Sequence, residues 1–212
     1  MQVNDNLEAQ LSSLFHLLFD KDASNTCTVA DYGEVIGGAT PSTENADFFC
    51  QNGIAWLSPK DLTSTGLKFI FKGETDISEE AYKSCSTKLL PKGSVLLTSR
   101  APVGTVAIAM KELCTNQGFK SIIPKKEIGT AFIYYFLKEN KALLDSYSSG
   151  TTFMEISGNV LKSIPAFLPE VKSLERFQDA CKPVFEQQML NEKEIKALNT
   201  LKSTLISKMS SR

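Results

Sequence analysis

The chain has 212 residues, of which 42% are hydrophobic and 22% are charged, and this composition excludes both a disordered protein and a fibrous repeat. A net charge of −1 argues against a surface that is basic throughout. Five cysteines without a C-x-x-C pair, together with a single histidine, disfavour a zinc site and a disulfide framework. No apolar run approaches the roughly 18 residues that a membrane span needs, so we expect a cytoplasmic protein without membrane contact.

The first segment has the pattern of a short amphipathic helix. Its leucines recur at spacings of four, three and four residues, and two phenylalanines widen the apolar stripe, so we predict a helix over residues 4–19. The polar residues 20–25 then predict a boundary. His16 is interpreted as a helix-surface or packing residue rather than a catalytic one. The apolar positions are Leu7, Leu11, Leu14, Phe15, Leu18 and Phe19.

From residue 26 to residue 169 the pattern changes to short apolar runs bounded by Gly, Pro, Ser and Asp. These runs predict a mixed sheet with a few helices, forming one domain over residues 23–170. Asp76-Ile-Ser-Glu79 is interpreted as a capping box that opens a short helix. A longer helix is predicted over Thr130–Tyr147, ended by the following Ser-Ser-Gly. Strands are predicted at Ile54–Leu57, Lys68–Phe71, Val95–Thr98, Thr105–Met110 and Lys120–Ile123.

The last segment predicts one long helix over residues 171–209. It contains no glycine, its only proline is Pro183, and its apolar residues follow a seven-residue rhythm with Gln188 and Asn191 at seam positions. A helix of this length spans about 58 Å at 1.5 Å per residue, so we expect it to pair with a partner helix. The predicted fold class is therefore α+β, a mixed domain followed by a long coiled-coil-type helix.

The sequence contains none of the motifs that mark common active sites, such as a phosphate-binding G-x-x-x-x-G-K-[ST], G-x-G-x-x-G, G-x-S-x-G or H-E-x-x-H. Asp179, Glu194 and Lys196 superficially resemble the residues of a metal-dependent nuclease. On one straight helix, however, Asp179 and Glu194 lie about 22 Å apart and cannot share a metal ion. We therefore predict no catalytic residues, no metal and no cofactor. An uncharacterised enzyme that uses a cysteine or carboxylates remains an alternative.

Basic residues concentrate in one part of the sequence. The stretch Lys83–Lys126 has eight Lys or Arg residues and a single acid, Glu112. Interrupted by Ser, Asn and Gln, this pattern is typical of a surface that tracks phosphates and contacts base edges. It is equally compatible with strands that spread the lysines over opposite faces as solubilising charge. The loop Gly37–Thr43 also has two interpretations, a phosphate-binding loop or a tight connection between strands.

Five motifs together resemble the specificity subunit of type I restriction–modification enzymes. They occur in the expected order, and the resemblance covers nearly the whole chain. The opening runs Asn4–Leu11 and Phe15–Phe19 resemble the helix end that precedes a target-recognition domain in that family. The motifs are Gly37-Gly-Ala-Thr-Pro-Ser-Thr43, Trp56-Leu-Ser-Pro-Lys-Asp-Leu62, Leu90-Pro-Lys-Gly-Ser-Val-Leu-Leu-Thr-Ser-Arg-Ala-Pro-Val-Gly104, Thr115-Asn-Gln-Gly-Phe-Lys120 and Ser149-Gly-Thr-Thr-Phe153.

The resemblance implies a non-catalytic DNA reader. Its implied partners are double-stranded DNA, a modification subunit that is an adenine-N6 methyltransferase, and a restriction subunit that is an ATP-dependent translocase and nuclease. Full-length members carry two recognition domains and two long helices, so the resemblance implies that a chain of 212 residues is a half-size subunit or a C-terminal half separated from its mate. A homodimer formed through the long helix would contact a palindromic, interrupted site. The expected divisions are a conserved-region helix over 1–22, the target-recognition domain over 23–170 and the long conserved-region helix over 171–212.

The resemblance and the side-chain chemistry together predict the DNA contacts. Arg100 is expected to contact a guanine or a phosphate through two hydrogen bonds, and Gln117 an adenine. Further base contacts are expected from the loops Glu44–Asn52 and Thr63–Glu74. Phosphate contacts are expected from Lys60, Lys92 and Lys120, supported by Ser42, Ser99 and Thr151. The helix interface is expected to include Leu11, Phe15, Phe177, Asn191, Leu198, Leu201 and Leu205.

A second hypothesis is an oligomeric interaction module, in which the long helix forms a coiled coil and the globular domain does not bind DNA. Breaking the helix pairing affects both hypotheses alike. Selection of a bipartite DNA sequence from a random pool distinguishes them.

Overall fold

The computed structural model describes residues 2–19, 26–150 and 154–210. It has the predicted α+β architecture, and the boundary predicted at residues 20–25 lies outside the described residues. The helices are α1 (Gln2–Phe19), α2 (Val29–Tyr32), α3 (Pro59–Thr63), α4 (Glu79–Ser84), α5 (Thr130–Glu139), α6 (Lys141–Tyr147), α7 (Gly158–Ser163) and α8 (Val171–Ser210). The strands are β1 (Thr26–Thr28), β2 (Gly33–Gly37), β3 (Phe49–Cys50), β4 (Ile54–Leu57), β5 (Phe69–Ile70), β6 (Thr75–Ile77), β7 (Val95–Leu97), β8 (Val106–Ala109), β9 (Cys114–Thr115), β10 (Lys120–Pro124) and β11 (Pro165–Phe167).

The central sheet has the strand order β2-β10-β7-β8-β5 and is antiparallel except between β8 and the edge strand β5. All five predicted strands of the domain are present, with ends that differ from the prediction by at most one residue. Alternate residues of β7 enter two different apolar clusters, since Val95 and Leu97 face one side of the sheet and Leu96 faces the other. The central sheet is therefore buried on both faces.

A second sheet, with the order β3-β6-β4-β9, covers one face of the central sheet. Its residues Ala55 and Leu57 join the apolar cluster that contains Leu96 and Phe119. β1 and β11 form a separate antiparallel pair that joins the beginning and the end of the domain. The middle of the chain thus closes on itself before α8 begins.

Helix α4 starts later than the predicted capping box. Ser78 is its N-cap and accepts a hydrogen bond from Ala81 N at 3.2 Å. Asp76 lies instead in β6, where it pairs with Cys50 and Ala55 of the two neighbouring strands. The prediction that Asp76 opens the helix is wrong, because its backbone is already engaged in the second sheet.

Helices α5 and α6 replace the single helix predicted over Thr130–Tyr147. The break lies at Asn140, whose Nδ2 donates to Phe136 O at 2.9 Å and competes with the helical backbone pattern. All residues of 131–137 are buried, so α5 is surrounded by apolar neighbours rather than packed on one side as predicted. This helix fills the face of the central sheet opposite the second sheet.

Helix α1 and the first half of α8 form an antiparallel pair within the chain. Near one end the rings of Phe15 and Phe177 lie 5.6 Å apart, and near the other Asn191 Nδ2 donates to Asn4 Oδ1 at 2.7 Å. Leu11 is buried in the same core cluster. The predicted interface residues Leu11, Phe15, Phe177 and Asn191 therefore pack within one chain, and α1 occupies the position where the sequence led us to expect a partner.

The second half of α8 extends beyond this packing. Its residues Leu198, Leu201 and Leu205 are 57%, 56% and 52% exposed. These leucines follow the predicted seven-residue spacing, but more than half of each side chain is exposed to solvent. In the described part of the chain, no helix combines the length and the apolar character needed to cross a membrane.

Candidate nucleic-acid interface

The strands of the central sheet bring three of the five sequence motifs to one end of that sheet, and contacts described below add a fourth. Gly37, the last residue of β2, pairs with Lys120, the first residue of β10. Arg100 follows β7, and Thr98 just before it bridges to Phe119. Because β10 runs antiparallel to both neighbours, residues that follow β2 and β7 lie beside residues that precede β10. We call this edge of the molecule the Lys120 end.

Hydrogen bonds join the loop after β2 to the loop before β10. Ala39 N donates to Thr115 O at 3.0 Å, and Thr40 Oγ1 donates to Gln117 Oε1. From the second sheet, Trp56 Nε1 donates to Ala39 O at 3.1 Å. The two loops are therefore one connected surface, with Gln117 exposed on it.

Two glycines permit the close approach of these segments. A Cβ atom on Gly38 would overlap backbone carbonyl oxygens of the opposing loop, and a Cβ on Gly118 would lie 2.7 Å from Pro59 Cγ. The contact with Pro59 brings the start of α3 to the same end, and with it Lys60. The two glycines therefore have a structural role in these motifs, in addition to any contact of the loops with a ligand.

Lys60 and Ser42 are exposed beside these loops. Lys60 Nζ lies 3.5 Å from Glu74 Oε2, and both side chains are largely in solvent, so this ion pair contributes little. Ser42 Oγ accepts a hydrogen bond from Glu44 N at 3.4 Å. Both side chains are accessible to a ligand that approaches the Lys120 end.

Arg100 lies in the β7–β8 loop, and two hydrogen bonds of the Thr98 hydroxyl stabilise the conformation of this loop. Thr98 Oγ1 donates to Pro102 O at 2.6 Å and accepts from Thr105 N at 2.9 Å. On its other side, the backbone of Arg100 bridges to Glu155. The backbone of Arg100 is therefore fixed, while its guanidinium remains partly exposed.

Two cations at this end, Arg100 and Lys120, share one carboxylate. Arg100 Nη1 lies 3.8 Å from Glu155 Oε2, and Lys120 Nζ lies 3.9 Å from Glu155 Oε1. Lys120 Nζ also donates to Gln117 O at 3.2 Å. Burial lowers the pKa of Lys120, Glu155 opposes that effect and Arg100 adds to it. The group carries a net positive charge, which favours an anionic ligand.

Not every predicted contact residue belongs to this surface. Ser99 was predicted to support a DNA contact. It is buried, with 0% of its surface exposed, so its hydroxyl does not reach a ligand in this conformation. Thr151 lies outside the described residues. The segment Thr63–Glu74 is not an open loop, because it contains β5 and the buried Lys68. The segment Glu44–Asn52 likewise contains a 3₁₀ turn and β3.

Lys92 lies at the opposite end of the central sheet. It precedes β7, whereas Arg100 follows that strand, so the two residues are separated by the strand's length. Lys92, Lys125 and Lys126 line a groove of about 600 Å³ between the sheet and α8. These three lysines are thus separated from Arg100 and Lys120 by the length of the central sheet, which favours the second interpretation of the basic stretch, a spread of charge over the domain.

Two residues of the Lys120 end went unnoticed in the sequence. Glu155 is an acid, whereas the predicted DNA contacts are cations, an amide and hydroxyl groups. Thr40 was included in a loop motif but was not given a role. The available signal for Glu155 was its position two residues after the Ser149–Phe153 motif.

Within the described ranges, no group of His, Cys, Asp and Glu side chains is arranged to hold a metal ion. His16 Nε2 lies 3.1 Å from Glu139 Oε2 at the surface of α1, in agreement with its interpretation as a helix-surface residue. The Lys120 end offers cations, an amide and hydroxyl groups. Groups of these kinds bind phosphate oxygens and base edges.

Comparison with known sequences identifies a family match over most of the chain. The model of the type I restriction modification DNA specificity domain matches residues 22–200. The type I restriction enzyme MjaIX specificity subunit of Methanocaldococcus jannaschii is 45% identical over 138 residues, 64% of this chain and 32% of that protein. The HindI specificity subunit of Haemophilus influenzae is 28% identical over 184 residues, 85% of this chain and 39% of that protein. The chain spans about a third of the length of these curated relatives.

Comparison with solved structures gives the same fold. The crystal structure of the HsdS subunit from Thermoanaerobacter tengcongensis matches with a TM-score of 0.62 at 17% identity, over 93% of this chain and 49% of that chain. The type I restriction–modification S subunit from M. genitalium matches with a TM-score of 0.54 at 16% identity, over 85% of this chain and 44% of that chain. At such low identity the similarity concerns the fold alone.

Proposed function

The chain belongs to the type I restriction modification DNA specificity family, and we propose that it is a non-catalytic subunit that recognises one half of a bipartite DNA site. The observation that carries this proposal is the convergence of Arg100 and Lys120 beside the exposed Gln117 at the Lys120 end. Cations supply affinity for phosphates, and an arginine fork or an amide supplies discrimination between bases.

In this proposal the residues at the Lys120 end have separate roles. Arg100 contacts a guanine or a phosphate, and Gln117 contacts an adenine through its amide. The oxygen of Gln117 already accepts a hydrogen bond from Thr40, and a second lone pair remains for a base. Lys60 and Lys120 contact phosphates, with Ser42 in support. The predicted roles of Lys92, Ser99 and Thr151 remain to be tested by mutation.

We further propose that residues 23–170 form the target-recognition domain and that the flanking helices belong to conserved regions. These helices would hold a modification subunit with adenine-N6 methyltransferase activity and a restriction subunit with translocase and nuclease activity. Such a division of labour suits a chain whose site binds DNA while other polypeptides act on it. The assembly would work on DNA in the cytoplasm.

Two copies of the chain would pair through the second half of α8. Residues 193–210 span about 27 Å at 1.5 Å per residue, and they carry the exposed row Leu198, Leu201 and Leu205. Antiparallel pairing over this length would set two recognition domains at opposite ends of a two-fold dimer. The DNA target would then be palindromic and interrupted.

The alternative function is a coiled-coil interaction module without DNA binding, and the same exposed leucines favour it. Selection of DNA by the purified complex of this chain with the modification subunit of its own system separates the two functions. Enrichment of an interrupted sequence from a random pool is the result expected for a specificity subunit. A folded, stable complex that enriches no sequence would support the interaction module.

A further inference from the structure

Glu155 occupies a position between two cations at the Lys120 end. Its two carboxylate oxygens face different partners, with Oε2 3.8 Å from Arg100 Nη1 and Oε1 3.9 Å from Lys120 Nζ. Both distances exceed those of a tight charge-assisted hydrogen bond. The carboxylate therefore bridges the cations loosely, and its own side chain is 41% exposed.

The backbone holds Glu155 in this place. Glu155 exchanges two hydrogen bonds with Ser149, each of 3.0 Å, and it bridges to Arg100 on its other side. The next residue, Ile156, donates its N–H to Ser99 O at 3.0 Å. Because the backbone is fixed on both sides, any release of the two cations requires only a rotation of the Glu155 side chain.

Resting on the proposed function, we infer that Glu155 acts as a built-in competitor of DNA phosphate for Arg100 and Lys120. Its carboxylate has the charge sign of a phosphate group and likewise presents separate oxygens to two donors. DNA binding displaces the carboxylate, which turns toward solvent, and a phosphate or a base edge takes over Arg100.

The competition lowers affinity for DNA that offers phosphates alone. A duplex without the target sequence gains phosphate contacts at this end only after the two ion pairs to Glu155 are lost. A duplex with the target adds hydrogen bonds to its bases, which compensate for that loss. Glu155 thus lowers the affinity for DNA that lacks the target without itself contacting DNA.

The test compares Glu155→Gln with the native protein in complex with its modification subunit. Binding of a labelled mixed-sequence duplex without the target is measured by fluorescence anisotropy over a range of salt concentrations. Glu127→Gln is the matched control, since it removes the same charge from an exposed residue near the opposite end of β10. Thermal unfolding of each variant establishes that the fold is intact, and Glu155→Ala provides a second variant that lacks the carboxylate.

We expect Glu155→Gln to bind this duplex about fivefold more tightly and to steepen the salt dependence by about one phosphate contact. Glu127→Gln should match the native protein, and the gain should vanish when Arg100 and Lys120 are both replaced by Ala. The inference is wrong if the native complex binds DNA and Glu155→Gln binds it no more tightly. It is also wrong if the gain in affinity persists after Arg100 and Lys120 are replaced. In both cases the proposed function stands. If the native complex selects and binds no DNA, the proposed function fails and the inference with it.

Discussion

Glu8 of α1 and Lys68 next to β5 form a largely buried ion pair, with 2.8 Å between Lys68 Nζ and Glu8 Oε2. The ammonium of Lys68 also lies 3.9 Å from the ring centroid of Phe185 and donates to Gln188 Oε1 at 3.1 Å. One charged group thus joins α1, the central sheet and α8. The position of the long helix on the domain depends on this contact as well as on apolar packing.

Glu8→Gln should remove an acid-sensitive part of the stability. Burial alone would raise the pKa of Glu8, but Lys68 and the hydrogen bonds from Lys138, Lys68 and Gln188 outweigh it and hold the pKa at about 2. A carboxylate with a lowered pKa in the folded state stabilises the protein above its unfolded pKa, and that contribution disappears as the pH falls from 4.5 toward 2. We expect the variant to lose about 3 kcal/mol at neutral pH. Urea unfolding of both proteins across this pH range measures their free energies of unfolding. Parallel pH profiles for the two proteins would contradict this role of Glu8.

Glu192→Ala should loosen the contact between α8 and the edge of the central sheet. The carboxylate of Glu192 accepts hydrogen bonds from Lys68 N at 2.9 Å and from Phe69 N at 3.2 Å. Without it, two backbone donors of the edge strand lose their partner, which costs about 2 kcal/mol. Thermal unfolding and amide exchange at residues 68 and 69 measure the effect. Glu194→Ala, an exposed change on the same helix, is the control, and equal losses in both variants would refute this role of Glu192.

Gly38→Ala should disturb the Lys120 end, whereas Gly37→Ala should not. A Cβ on Gly38 would overlap carbonyl oxygens of the opposing loop, but a Cβ on Gly37 would meet only Lys120 Cδ at 3.9 Å. We expect Gly38→Ala to weaken DNA binding by the assembled complex at least about tenfold, because a shift of the loop misplaces Gln117. Anisotropy measurements on the two neighbouring variants test this directly. Similar affinities for both would argue against a structural role of the loop contact.

The seven-residue rhythm of the last segment predicted α8 and its apolar face, because a helical face is a local property of the sequence. The helix that packs on that face, in contrast, comes from a distant part of the sequence. The first half of α8 packs on α1, more than 150 residues earlier, and no periodicity within either segment indicates this pairing. The same limit applies to Lys68 and Glu8, which the sequence separates by 60 residues.

The candidate site was predicted in part. The motifs contained Arg100, Gln117 and Lys120, which the fold brings to one end of the sheet. Lys92 belongs to the same basic stretch, yet it lies at the other end because β7 runs between it and Arg100. Charge density along the sequence does not separate the two residues, although the strand predicted at Val95–Thr98 already lies between them. Glu155 was not predicted because its carboxylate carries the same charge sign as the phosphates of the expected ligand.

Leu198→Asp combined with Leu205→Asp should convert a dimer into a monomer without unfolding the domain. Both side chains are more than half exposed in the single chain, so the change removes no packing there. Buried between two helices, the introduced carboxylates would be strongly destabilising. Analytical ultracentrifugation gives the oligomeric state. The replacement of Lys196 and Lys202 by Asp on the same exposed part of α8 is the control, and an unchanged dimer in the leucine variant would exclude this part of α8 as the interface.

The most direct test of the proposed function is the pattern of DNA methylation in cells that express this chain. The chain is co-expressed with the modification subunit of its own system in a host without other adenine methylation, and methyladenine is mapped by long-read sequencing. Methylation is expected at a single interrupted motif, which is palindromic if two identical copies pair, and Arg100→Ala should abolish that pattern. Methylation without any sequence motif, from a complex that contains the chain and is active, would contradict it.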